Sequence, residues 1–349
     1  MIYIYISLFL CFLSLIRVFA KFNTRLIEVF FILFLLFFAA LRSDSVGADT
    51  ANYILFFNYS PNILNFDIIY RPELEYGFKV YLAFLKTFTN SVGVFLFIST
   101  AICLIPLYIG LKKIAPQYAF LGLLLYYFVF YINYPINVLR QGMVMSIFIY
   151  SLPFILERKS YQVLFFGLIA GSLHSTGYLI LLIYLYSLLK NKWLIYVSIL
   201  LVISSLVMYK YSFLQKILFT YIAEEKEATY TEKYGAPTTL FQYLYRVILI
   251  LFFCVSSYLI KNEKLTKILV LYLVGFIIYI ALSADNLIAA RFNMMFRVLE
   301  VVMVSLIFYL SKELKYRLIL FLLFLLIFYP FFVVTALQAV NEYKISDFI

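Results

Sequence analysis

The sequence predicts an all-α polytopic membrane protein, a single transmembrane domain of about twelve helices over residues 1–349. Three observations lead there. The chain is 66% hydrophobic and only 13% charged, with a mean hydropathy of +1.01, whereas soluble domains carry roughly 25% charged residues. Apolar runs such as 27–41, 91–111, 292–310 and 318–334 are long enough to cross a core of roughly 30 Å as helices. Their continuity excludes the alternating pattern of an outer-membrane barrel.

Taken from the N-terminus, the first run, MIYIYISLFLCFLSLIRVF, meets its first charge only at Arg17. It lacks the basic start of a cleaved leader and is expected to remain as helix one. The spans then read 2–20, 26–41, 91–111, 118–132, 138–156, 160–173, 177–189, 193–209, 240–260, 265–283, 292–310 and 317–336, with the sixth and seventh the shortest. Cys11, Cys103 and Cys254 fall inside spans at no ligand spacing, so they read as apolar filler.

Charge orients these spans. Alternate breaks hold fifteen basic residues against four acidic ones, while the remaining loops balance, so the whole net charge of +11 lies on one side. The positive-inside rule makes that side cytoplasmic and both termini extracytoplasmic, and it explains the basic balance without nucleic acid.

Two extracytoplasmic loops are long. In 42–90, residues 75–88 place apolar positions at helical spacing beside Lys79 and Lys86, an amphipathic helix for the membrane surface. The second, 210–239, mixes charge with Tyr221, Tyr230 and Tyr234.

The polar residues that span composition cannot explain lie on this outer side. In INVLRQG, Asn137, Arg140 and Gln141 are spaced i, i+3, i+4, and Pro135 suits a first helical turn. Arg140 then stands at a helix N-terminus, where free N–H groups and the dipole favour an anion and a planar guanidinium grips two oxygens. The bland alternative is an arginine snorkelling to the interface. Arg291 occupies a comparable position after SADN, and Arg297 with Glu300 reads as a structural ion pair at i, i+3. His174, the only histidine, lies between Gly171 and Gly177. It is either a hydrogen-bonded structural residue or a phosphate or proton-transfer group. No histidine-based metal cluster is available. Arg42, Asp44, Asp49 and Tyr53, then Asp67, Glu73 and Glu75, offer carboxylates able to take a proton from a sugar hydroxyl.

In order and spacing, RSDSVGADTANYILFF, PELEYGF, INVLRQGMVMSIFIYSLPFILERK, FGLIAGSLHSTGYLI and AARFNMMF resemble the EpsG family of exopolysaccharide and O-antigen polymerases, the Wzy-type enzymes. The resemblance implies a GT-C-like membrane glycosyltransferase architecture and polymerisation of undecaprenyl-diphosphate-linked repeat units at the outer face of a bacterial inner membrane, with no cofactor or metal. A chain-length regulator is the further partner such a reaction admits. On that basis Arg140 and Arg291, helped by Arg42, Gln141 and His174, are expected on the diphosphate. Asp49 is expected as general base with Glu75 second, and Tyr53 and Asn137 on the substrate. A transporter or lipid-linked oligosaccharide flippase is the main rival, and an O-acyltransferase using His174 is a third reading.

Overall fold

The computed structural model describes residues 1–19, 25–66, 71, 73–189, 203, 204, 207, 238–283 and 286–346. Among these the regular structure is helical, with one isolated antiparallel bridge between Arg42 and Ile345. The chain divides into two compact units, Met1–Leu181 with Val304–Ile349, and Leu182–Met303.

The first unit contains α1 (Ile2–Phe19), α2 (Arg25–Ala40), α3 (Thr50–Asn58), α4 (Tyr76–Phe88) and α5 (Val92–Ile114). α6 (Ala119–Tyr126) continues as a π-helix, Tyr127–Asn137, and is followed by α7 (Leu139–Leu156), α8 (Ser160–Leu173) and a 3₁₀ turn, Ser175–Tyr178. α9 (Leu179–Leu188) leads out of this unit. The second unit holds α10 (Leu240–Ile260), α11 (Glu263–Ala281) and α12 (Asn286–Arg297). α13 (Leu299–Leu310) returns to the first unit, which α14 (Leu314–Ala336) completes.

Among the described residues, eight helices are long and apolar enough to cross a membrane, fewer than the twelve expected. The difference has a length basis. The sixth expected span is a helix of 14 residues, about 21 Å at 1.5 Å per residue and short of the hydrocarbon core; the second and seventh are likewise short, at 16 and 10 residues. The eighth, 193–209, lies almost wholly outside the described residues, as does the loop expected at 210–239 with its tyrosines.

α6 with its π-helical continuation, and α7, form the buried centre of the first unit, hydrophobic on every face and covered on every face. Charged residues separate to two ends. At one, the fully buried Glu28 accepts from Lys112 Nζ at 2.6 Å and from the Tyr108 hydroxyl at 2.6 Å, while Arg17 donates to the Gln117 carbonyl at 2.8 Å. These are residues expected to share the cytoplasmic side. At the other, the turn after α2 lies against the C-terminal segment, Ser43 N–H donating to Lys344 O at 2.9 Å and Gly47 N–H to Val340 O at 2.8 Å.

In the second unit, a capping box of Thr239 and Gln242 starts α10, and Lys261 in left-handed backbone ends it. Arg246 is buried against the Tyr279 ring at 3.6 Å. Arg297 Nε lies 3.3 Å from Glu300 Oε1, so the expected local ion pair is present, and Tyr272 donates to the same oxygen at 3.0 Å.

Candidate functional site

The π-helix positions the site. Its 11 residues wind more widely than an α-helix, and Val138 N–H closes an i−5 bond to Asn133 O at 3.1 Å. Pro135, which has no N–H to lose, sits inside this segment, two residues before its end. It does not open the next helix as the sequence suggested. The chain breaks at Val138 (φ −88°, ψ 68°) and α7 begins at Leu139. Asn137 therefore does not share a continuous helical face with Arg140 and Gln141, because the break intervenes. Gln141 is turned into the core, 3% exposed.

Arg140, in the first turn of α7, pairs with Glu75 Oε2. Glu75 is the residue before α4, the helix expected at 75–88, and its Oε1 accepts the Ser175 N–H at 3.2 Å. One carboxylate thus ties together the starts of α4 and α7 and the turn after α8. Arg140 is also an electrostatic neighbour of the Tyr53 hydroxyl and lies over the Phe78 ring at 5.5 Å. Its buried Nε has no acceptor. Burial raises the pKa of Tyr53 while Arg140 opposes the rise, so the phenol stays protonated.

Asp49 stands at the start of α3, half-buried, without a side-chain cap bond, and is an electrostatic neighbour of Tyr53. Its backbone N–H points at Asn137 Oδ1, 3.5 Å away, and Asn137 Nδ2 donates to Asn341 Oδ1 at 3.3 Å. Asn341, from the C-terminal segment, is a site neighbour that no motif announced. Gly47 makes this meeting possible: with φ +86° it occupies left-handed backbone, and a Cβ there would sit 2.6 Å from Asn137 Oδ1.

His174 lies in the same neighbourhood through Ser175. Its Nδ1 lies 2.9 Å from the Thr176 hydroxyl and 3.2 Å from the Thr176 N–H, so the ring is held against the turn that follows α8. Gly177 is needed here because a Cβ would meet the Ala170 carbonyl carbon at 2.2 Å.

Seven of the nine expected site residues, Asp49, Tyr53, Glu75, Asn137, Arg140, Gln141 and His174, thereby gather around the start of α7. Arg42 is placed otherwise than expected. It is fully buried, donating to Ala39 O at 2.7 Å and Thr50 Oγ1 at 3.3 Å, and burial pushes its pKa down to about 10. It holds the turn that carries Asp49, and no ligand in the site can reach it. Arg291 lies on α12 in the second unit. Asp67 lies outside the described residues.

What this arrangement offers chemically is a largely buried cation with an unused donor, a protonated phenol, a histidine held at the turn after α8 and a carboxylate. No curated protein and no solved structure matches the chain. A sequence model of the EpsG family matches residues 25–346, nearly the whole length, and the chain belongs to that family, whose members are Wzy-type polymerases.

Proposed function

We propose that the chain is a polysaccharide polymerase that transfers a growing glycan from undecaprenyl diphosphate to the non-reducing end of a second undecaprenyl-diphosphate-linked repeat unit. The reaction takes place on the extracytoplasmic face of the bacterial inner membrane, both termini lying on that side, in a fold of GT-C-like architecture. The acceptor hydroxyl oxygen attacks the anomeric carbon, the bond from that carbon to the diphosphate breaks, and undecaprenyl diphosphate leaves.

Arg140 carries this reading. Its Nε lacks an acceptor although it is buried at the mouth of a helix, and a diphosphate oxygen supplies one. The guanidinium then stabilises the charge that grows as the leaving group departs. His174, tied to the site through Ser175, is the second group proposed for the diphosphate. Asp49 is the first candidate to take the acceptor proton and Glu75, whose oxygens accept bonds from Arg140 and Ser175, is the second. Tyr53 and Asn137 order the substrate side of the site. Arg291 is a further cation for the same ligand class, and Arg42 acts by position only.

The test is a deletion strain complemented with wild type, Arg140→Ala and Asp49→Asn, read as a ladder of glycan chain lengths on a gel. Both variants are expected to insert and to lose the ladder. A normal ladder from Arg140→Ala retires the clamp, and one from Asp49→Asn moves the base elsewhere.

One observation favours the rival flippase. Arg246 and Glu300 are buried within the second unit, with Arg297 half-buried beside Glu300, which stands near the centre of the apolar stretch Ile288–Leu310, and ionisable groups at that depth mark transport pathways. Purified protein in liposomes with synthetic lipid-linked repeat units separates the two: polymer supports the polymerase, and movement without polymer supports the carrier.

A further inference from the structure

The displacement of Arg42 from its expected role raises a separate question: what neutralises it. Its side chain is fully enclosed where α2, the turn 41–49 and the C-terminal segment meet. Nη1 and Nε have neutral acceptors, Ala39 O and Thr50 Oγ1, and Nη2 has none. The titratable groups that face it are Tyr3 from α1, Cys103 from α5, Tyr131 from the π-helix and Tyr343 from the C-terminal segment. All four are neutral acids in their ordinary state. Among the described residues no carboxylate is paired with Arg42.

The negative end of α2 offers partial compensation. It is already taken up by donors: Tyr131 donates to Leu35 O at 2.6 Å and Tyr343 to Phe38 O at 2.8 Å, beside the Arg42 bond to Ala39 O. What remains are donors without acceptors. The Tyr3 hydroxyl is buried and unpartnered, like Arg42 Nη2, and the two residues are electrostatic neighbours. Tyr126, which shares Cys103 and Tyr131 as neighbours, has an unpartnered buried hydroxyl as well. A buried cation beside hydroxyl donors that lack acceptors calls for an anion, because a neutral water would satisfy the bonds and leave the charge unpaired.

We propose that a small monovalent inorganic anion of chloride size is the resident counterion of Arg42, held between Nη2 and the Tyr3 hydroxyl. The enclosure excludes a polyphosphate while the turn and the C-terminal segment stay in place. The anion clamps that junction, from which the turn runs on to Asp49. The site is thus structural, independent of the diphosphate reading, and makes the protein halide-dependent.

Detergent-purified wild type is melted in potassium gluconate, chloride and bromide at one ionic strength, alongside Arg42→Gln and Tyr3→Phe. The expected result is a melting temperature that rises saturably with halide in wild type. Tyr3→Phe should weaken the apparent halide affinity by about tenfold, the loss of one hydrogen bond to a charged partner. Arg42→Gln should lose the dependence. Should Arg42→Gln not accumulate, wild-type crystals soaked in bromide decide the matter, an anomalous peak between Arg42 and Tyr3 being expected. Equal melting in gluconate and chloride, a halide effect that survives Arg42→Gln, or an ordered water with no anomalous signal would overturn the proposal.

Discussion

Among the described residues two arginine–carboxylate pairs hold charge away from open solvent, and they are built differently. Arg297 and Glu300 stand three residues apart across the α12–α13 junction, and Glu300 is completely buried, with Tyr272 as a second donor. Arg140 and Glu75 are 65 positions apart, their side chains 17% and 24% exposed, each at the start of its own helix. In the first pair the carboxylate is wholly out of water, its Oε2 without a hydrogen-bond partner, so the members cannot part without stranding a charge. In the second, Glu75 sits on a separate element at the surface and Arg140 keeps a donor unused, so an incoming anion can take the place of Glu75. The same chemistry serves as a staple in one unit and as a poised site in the other.

The largest expected effect comes from breaking the staple. Arg297→Ala leaves Glu300 buried without its cation and should cost about 3–5 kcal/mol. The result is a lower melting temperature of purified protein and reduced accumulation in membranes, with polymer formed per folded molecule unchanged. Arg140→Ala should do the opposite. Melting stays close to wild type, while polymer formation falls by about 100- to 1,000-fold, as when one charge-stabilising donor is removed. If both variants lose stability and neither loses specific activity, the two pairs are alike and the comparison fails. Smaller again is Gly47→Ala, which forces a Cβ onto Asn137 Oδ1 at 2.6 Å from a φ of +86°. It should cost about 1–3 kcal/mol, measured by melting, and disturb Asp49 without touching the Arg140–Glu75 pair.

The same contrast explains what the sequence could reveal. An ion pair at i, i+3 is a property of local spacing, so Arg297 and Glu300 were legible, as was the amphipathic stretch that became α4. Arg140 could be singled out because a charge beside an apolar run needs a reason. Its partner could not, since nothing local says which of several loop acids a fold brings across 65 positions. The face assigned to Asn137, Arg140 and Gln141 assumed α-helical periodicity through 137–141, and the π-helix followed by the break at Val138 removed it. Arg42 shows the other limit: one residue in a polar loop reads as exposed, yet it is sealed by a C-terminal segment about 300 residues away in sequence, Ser346 N–H donating to Leu41 O at 2.8 Å. Asn341 carries no signal in its neighbourhood, whereas Arg246 does carry one, since a charge within the apolar run 240–260 needs a reason as much as Arg140 does.

Glu75→Gln tests the poised pair most directly and is expected to have the smallest effect. The amide retains an oxygen that can accept the Ser175 N–H, so the local shape is kept while the negative charge beside Arg140 is lost. With Glu75 no longer competing for the guanidinium, inorganic pyrophosphate, used as the probe in calorimetric titration, should bind about tenfold tighter, a change of about 1.4 kcal/mol. That size suits one charge-assisted hydrogen bond in a partly exposed position. Glu300→Gln supplies the contrast and should leave pyrophosphate affinity unaltered while lowering the melting temperature. Unchanged affinity in Glu75→Gln would mean that Glu75 is not displaced by the anion, and Arg140 would then be a structural residue like Arg297. The polymer ladder sharpens the outcome further. If Glu75 serves only as counterion, tighter binding should raise chain synthesis at low substrate, whereas if it is the general base in place of Asp49, synthesis should fall although binding improves.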